Sequence, residues 1–359
     1  MSSILMVDYY GTCDEKGKAI GHSPKVAREY RELFSEKETV ALAVSPCIAC
    51  EVRDAGFDYV YCLPYNIIES NYNKLSKRIT DKFKLFVNIH HAFRIRGYDL
   101  LWFYRVDFFL FLYMLFAGKR KSRRICLIYQ MGGGTGVLEK VINFVYKTGL
   151  MKFDGVIYTQ PKMKIPVKMS LYMPDYWYKK DKYAHFAALP KAEKAVCLGA
   201  MNPYKQLEEL VDIFNESGYP LEIAGYFFDK ARVARLKARA KENVSIRDCI
   251  LSEEEYYEKL GGARYSILPY DMNQYKNRTS GILLESAFLR VIPVAPDRLL
   301  KENELSGIGY DSFSEIANRM KECEAEKILV DNQNKILQEY DEDHIKVKFG
   351  KWISSFGVL

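Results

Sequence analysis

Two α/β units, each built on a doubly wound parallel sheet, are what this sequence predicts. Three observations carry the expectation. Short apolar runs that read as strands alternate with helical patterns from Ser3 to Thr159. That rhythm breaks over 161–190, where Pro161, Pro166, Pro174 and Pro190 sit among many aromatic residues. It resumes from Ala195 to Ala295. Such alternation builds parallel sheets covered by helices, and 359 residues suit two cores better than one.

In order, Ser3–Tyr9 reads as a strand, followed by a polar loop carrying Gly11, Gly17 and Gly21. Pro24 fits the first turn of a helix over Lys25–Ser35, with Ser23 as its cap. Thr39–Val44, Tyr59–Leu63 and Lys84–Asn88 read as strands. Next come a strand at Asp99–Tyr104, a helix at Asp107–Ala117, a strand at Ile125–Tyr129, a helix at Val137–Lys147 and a strand at Gly155–Thr159. In the second half, strands are expected at Ala195–Leu198, Leu221–Ala224, Val244–Arg247, Tyr265–Pro269 and Val291–Ala295. Helices between them fall at Gln206–Asn215, Asp229–Lys241, Glu253–Leu260 and Gly281–Leu289. From Ser314 the chain reads as mostly helical. The expected boundaries are residues 1–175, a linker over 176–193, a second unit over 194–335, and a helical segment over 336–359 returning to the first unit. Ligands of doubly wound sheets sit at the carboxyl ends of the strands, so the expected site is a cleft between the two units.

Composition narrows the function. The hydrophobic share of 48% supports sizeable cores. The start MSSILMVDYYG is too short and too quickly acidic for a signal peptide, and Phe108–Gly118 is too short for a span. The expectation is a cytoplasmic protein with its eight cysteines reduced. Cys47 and Cys50 have a metal-like or redox-like spacing without a second close pair, which favours core thiols over a zinc site. Residues 1–189 hold 29 Lys and Arg against 18 Asp and Glu, whereas residues 190–359 hold 24 against 28. Only the first half is therefore suited to an anionic surface. It carries no recognisable nucleic-acid reading motif, so no nucleic-acid partner is expected.

No G-x-x-x-x-G-K-S/T is present, which excludes a nucleoside triphosphatase loop. IYQMGGGTGVLE places Gly132, Gly133, Gly134 and Gly136 between a strand and a helix. It lacks the third glycine and the acidic residue of a dinucleotide fingerprint, and a plain turn competes with phosphate or sugar contact. The stretch QYKNRTSGILLE is more pointed. Ser280 and Gly281 open a helix directly after a strand and loop, so their amides are donors at the positive end of the helix dipole. Arg278 flanks them. Glu285 lies one turn deeper on the same face, suited either to a ribose or to an ion pair with Arg290 or Arg278. GAMNPYK puts Gly199 after a strand and Lys205 at a helix start. The dipole disfavours a cation there, which points to an anionic ligand or to a solvated lysine.

These pieces in this order resemble the retaining glycosyltransferases of the GT-B fold, family 4. The resemblance covers most of residues 1–340 in layout and is specific mainly in the second unit. It rests on AVCLGAMNPYKQLEEL, LEIAGY, NVSIRD, ILPYD and SGILLESAFLRVIPVAP. It implies a GT-B fold whose first unit binds an acceptor and whose second binds a UDP- or GDP-sugar donor, with no metal or other cofactor. By resemblance Lys205 binds the donor diphosphate and Glu285 the ribose, with Gly199, Ser280 and Gly281 lining the pocket. The family's first glutamate falls at Asn277, and its arginine beside the first glycine is Ala200. Arg278 is the candidate replacement for that charge.

The implied reaction is hexosyl transfer to a glycan or lipid-linked acceptor in cell-surface polysaccharide synthesis, with Lys205 and Arg278 stabilising the leaving diphosphate. Acceptor-side candidates are Gly11, His22, His90, Gln130 and Gly133, with His22 also a catalytic candidate and His91 beside them. Asp99–Arg124 joins an aromatic helix to the basic KRKSRR, which suits peripheral contact with the inner face of an anionic membrane. Two alternatives are a nucleotide-sugar epimerase of the same fold and a non-catalytic nucleotide-sugar or glycan-binding protein.

Overall fold

The structure, a computed structural model, describes residues 3–14, 17–20, 23–68, 75–103, 108–117, 122–128, 144, 153–159, 169–174, 176–275 and 280–357. The chain divides into two compact units, residues 1–175 with 346–359, and residues 176–345.

The first unit is built on seven strands: β1 (Ser3–Asp8), β4 (Thr39–Val44), β5 (Tyr59–Cys62), β7 (Leu100–Phe103), β8 (Arg123–Ile128), β9 (Gly155–Tyr158) and β10 (Ser170–Tyr172). Their order is β10-β9-β8-β7-β1-β4-β5, with every neighbouring pair parallel. β1 is buried on both faces, as a strand covered by helices on each side must be. Two-residue strands β2 (Thr12–Cys13), β3 (Ala19–Ile20) and β6 (Ile67–Ile68) form a small separate sheet. The final helix, Glu342–Ser354, enters this unit from Lys346. Within it, Phe349 stacks on Trp102 with ring centroids 5.4 Å apart and meets Phe34 edge-on at 5.3 Å.

The expected strand at Lys84–Asn88 is instead part of a 20-residue helix, α3 (Leu75–Arg94). The KLFVN run has strand-like composition, but Asp81, Leu85, Asn88 and Ala92 fall at helical spacing and are all buried. Asn88 secures the turn after β5, donating to the Tyr9 and Tyr65 carbonyls and accepting from the Tyr65 amide. The first helix runs Ser23–Arg31, so Ser23 lies within it and not before it. The expected helix at Asp107–Ala117 is α4 (Phe108–Phe116). The helix expected at Val137–Lys147 and the glycine run before it lie outside the described residues.

The second unit holds β11 (Ala192–Leu198), β12 (Leu221–Gly225), β13 (Val244–Asp248), β14 (Ala263–Ile267), β15 (Ile292–Pro296) and β16 (Ile308–Tyr310). They are ordered β13-β12-β11-β14-β15-β16, again parallel throughout. The strand order reverses between β11 and β14, which makes the ends of those two strands the crevice of a doubly wound sheet. β16, the Asp297–Asn303 helix and the Lys180–Ala187 helix within the Pro-rich stretch were not anticipated from the sequence.

Gly199 and Gly225 end β11 and β12 and press together. A Cβ on Gly225 would lie 1.7 Å from the Gly199 carbonyl oxygen. Gly225→Ala is therefore expected to cost at least about 2–3 kcal/mol of stability, read as a lowered urea midpoint.

Candidate functional site

The reversal point of the second sheet gathers the most unusual chemistry in that unit. After β11 the chain turns at Gly199, whose φ of +91° lies in the left-handed region that glycine supplies without strain. The turn ends at Lys205, which bridges to Tyr270 beyond β14. Arg232, on the Lys230–Arg239 helix, donates to the carbonyls of Lys205 at 2.7 Å and Asn202 at 3.3 Å, while its Nε pairs with Glu208 at 2.8 Å. That fork holds the turn in shape from behind, a role the sequence reading did not give to Arg232. Asn202 Nδ2 donates to the Tyr204 hydroxyl at 2.6 Å.

Lys205 departs from the solvated alternative. Its residue is 4% exposed, and the following helix begins later, at Leu207. The ammonium donates to the Leu198 carbonyl at 2.9 Å and sits 5.8 Å from the Tyr270 ring centroid. No carboxylate among the described residues pairs with it. Burial lowers its pKa, with the neighbouring Cys197 thiol acting weakly the other way. A buried cation facing only a carbonyl, a thioether and a ring is costly unless an anion completes its shell.

Tyr270 connects Lys205 to the second part of the site. Its ring stacks on Tyr275 at 4.2 Å with planes 11° apart, and Tyr204 packs 5.6 Å from Tyr275. Burial raises the Tyr270 phenol pKa, and the nearby Ser280 hydroxyl opposes that shift. Ser280 is the N-cap of the Gly281–Phe288 helix; its hydroxyl is buried and completes no hydrogen bond of normal geometry among the described residues. The first inward bonds of this helix run from the Leu283 and Leu284 amides to the Ser280 carbonyl. The Gly281 and Ile282 amides thus have no intrahelical acceptor. Gly281 is required by packing, because an added Cβ would lie 2.5 Å from the Tyr176 ring.

Glu285 is buried one turn further in, and its hydrogen-bond partners include two tyrosines that the sequence did not point to. Tyr256 donates to Oε2 at 2.7 Å and Tyr257 to Oε1 at 3.1 Å. No ion pair to Arg290 is formed among the described residues, and Arg290 is exposed. Burial first, then the Glu285 charge, raises both phenols. The two tyrosines fix the carboxylate plane from the neighbouring Glu253–Gly261 helix. Only their adjacency in EEEYYEKL could have hinted at this.

In the first unit, Gly11 is buried, and a Cβ there would lie 2.4 Å from Ser45 Oγ and 2.6 Å from Ile48 Cγ1. Its carbonyl accepts from Ser45 Oγ at 3.2 Å, which gives this glycine a packing reason. His90 is exposed on α3, with Nδ1 3.0 Å from the Tyr113 hydroxyl. His22, Gln130, Gly133, Asn277 and Arg278 lie outside the described residues. Cys47 is buried beside Ser45 whereas Cys50 is exposed. Among the described residues no group of three or more His, Cys, Asp or Glu side chains is placed to hold a metal ion.

A doubly wound sheet repeated in two units, with a buried cation and a helix N-terminus at a reversal point, is the architecture of the GT-B fold, and solved structures agree. One is HepE from Anabaena, in complex with UDP and glucose: TM-score 0.65, 11% identity, covering 99% of this chain and 100% of that one. A second is the α,α-trehalose 6-phosphate synthase of Burkholderia multivorans, with TM-score 0.65, 10% identity and 99% of both chains covered. A third is AviGT4, a glycosyltransferase involved in avilamycin A biosynthesis, with TM-score 0.57, 12% identity, and 98% and 97% covered. The chain therefore has the GT-B fold of nucleotide-sugar glycosyltransferases. No family model matches it, and no curated protein sequence does.

Proposed function

We propose that this protein is a glycosyltransferase that moves a hexosyl unit from a UDP- or GDP-sugar to a glycan or lipid-linked acceptor, in the synthesis of a cell-surface polysaccharide. The observation that carries the reading is the Lys205 ammonium, buried at the reversal point of the second sheet with no carboxylate partner among the described residues. A donor diphosphate would complete its shell and also accept from the first-turn amides of the Gly281–Phe288 helix. Glu285, held by Tyr256 and Tyr257, would accept from the ribose hydroxyls.

In this reading the bond from the anomeric carbon to the diphosphate oxygen breaks as the acceptor oxygen bonds to the same carbon. The departing phosphate takes the acceptor proton, with retention of configuration. Charge developing on that phosphate is stabilised by Lys205 and the helix amides, already oriented in a site of low polarity. The reading requires neither a metal nor an organic cofactor. The first unit would hold the acceptor. The HepE complex with UDP and glucose supports a nucleotide-sugar donor through the shared fold.

A thermal-shift panel of UDP-, GDP-, ADP- and dTDP-sugars tests this without knowledge of the acceptor. One nucleotide class is expected to raise the melting temperature in a concentration-dependent way. A flat response across the panel would count against the donor site.

A further inference from the structure

We infer that the α3 face of the first unit is a docking surface for an anionic lipid bilayer. The sequence placed membrane contact on the helix that is now α4, but among the described side chains of α4 only Phe116 is exposed. Leu110 and Met114 are buried, and Phe109 and Tyr113 are packed against the core. The exposed apolar stripe is on α3. Ile79 is 63% exposed, Phe83 62% and Phe86 39%. With exposed His90, these positions follow an i, i+4, i+7, i+11 spacing and share a face within about 60°. The opposite side of α3 buries Leu85 and Ala92, with Ile89 at its edge, while Phe93, seven residues after Phe86, is buried against Tyr113 of α4 at 4.8 Å. This helix is apolar on both sides, whereas a helix on an ordinary solvated surface keeps its outer face polar. Phe116, at the end of the neighbouring α4, adds a fourth exposed large residue at 82%.

Charge identifies the occupant. In the sequence, residues 71–124 contain 13 Lys and Arg against 3 Asp, nearly the whole positive excess of the first half. Asp81 is buried, and Asp99 accepts from the Ser3 amide and hydroxyl. Lys82 and Arg94 are exposed on α3 and flank the stripe at helical spacing, Arg96 is exposed just beyond the helix end, and Lys82 sits 4.9 Å from the Phe109 ring centroid. Two such faces would repel each other, which disfavours a second copy of this chain as the occupant. An acidic headgroup layer satisfies both features: the aromatic side chains enter the boundary with the acyl chains, and each nearby cation adds about 1 kcal/mol of attraction. Among the described residues no helix is long and apolar enough to cross a membrane, so the contact proposed is peripheral. It rests on this surface alone and is independent of the donor chemistry.

The test is vesicle flotation of the full chain. Wild type is expected to float with phosphatidylcholine vesicles containing phosphatidylglycerol and to stay in solution with phosphatidylcholine alone. Raising the salt should release it. The double variant Phe83→Ser, Phe86→Ser should lose vesicle binding by about tenfold or more, since each ring withdraws apolar area from the interface. Phe83 is 62% exposed, whereas Phe86 also meets the Tyr113 ring at 5.5 Å, so the melting temperature should fall only slightly and the nucleotide response should match wild type. Phe83→Ser alone should weaken vesicle binding with the melting temperature unchanged. The inference is overturned if wild type fails to float with the acidic vesicles, or if the variant floats equally well. It is also overturned if wild type is a dimer that the same substitutions dissociate, for then the face joins two copies.

Discussion

Lys205→Met is expected to weaken donor binding severely while leaving the fold as stable as wild type or more so. The ammonium is buried beside the Leu198 carbonyl, the Met201 thioether and the Tyr270 ring. In the free protein its desolvation is poorly compensated, and its lowered pKa reports that penalty. Methionine fills a similar volume with no charge to desolvate, so the melting temperature should hold or rise. The diphosphate, however, would lose the cation that meets it. A loss of about 10²–10³ in kcat/KM is expected from removing one such preorganised charge contact. A purely structural lysine predicts the reverse pattern, with stability falling and donor affinity nearly unchanged. Melting curves and donor titrations on the same preparation separate the two.

Glu285 yields the second large effect, and two substitutions divide its roles. Glu285→Ala removes the acceptor of both the Tyr256 and Tyr257 hydroxyls. Taking this acceptor from two buried phenols, of which Tyr257 keeps its 3.5 Å contact with the Tyr183 hydroxyl, is expected to cost about 2–4 kcal/mol of stability. Glu285→Gln keeps a carbonyl oxygen and nearly the same shape, so most of that stability should remain. It removes the charge that a ribose would meet, and the donor KM should rise by about 10–100-fold, the usual worth of a hydrogen bond to a charged group. The sharper readout compares ribo- with 2′-deoxyribonucleotide donors. Wild type should discriminate between them, and Glu285→Gln should discriminate much less. Equal discrimination by both proteins would assign Glu285 to packing alone.

Much of the fold was legible because the strands of doubly wound sheets are short apolar runs between turn residues. TVALAV matches β4 residue for residue, and LEIA nearly spans β12. α3 was not legible, because an exposed aromatic stripe on one side and a buried stripe on the other erase the amphipathic period. IGY and DRLLKEN are too short to stand out before the rest of the sheet is built. At the site, Lys205 could be noticed as a cation near a helix start, but its burial depends on Tyr270, brought next to it by the β11–β14 pairing. Glu285 could be placed on the Gly281 face of its helix. Its partners lie 28 and 29 residues away on another helix, and no local spacing encodes that contact.

The measurement that tests the central claim most directly is a crystal structure of the protein with the nucleotide that gives the largest thermal shift. The account predicts the diphosphate against Lys205 Nζ and the Gly281 amide, with the ribose hydroxyls on Glu285 between the two tyrosines. A nucleotide bound elsewhere, with the Lys205 ammonium still on the Leu198 carbonyl and the Met201 thioether and away from the phosphates, would contradict it.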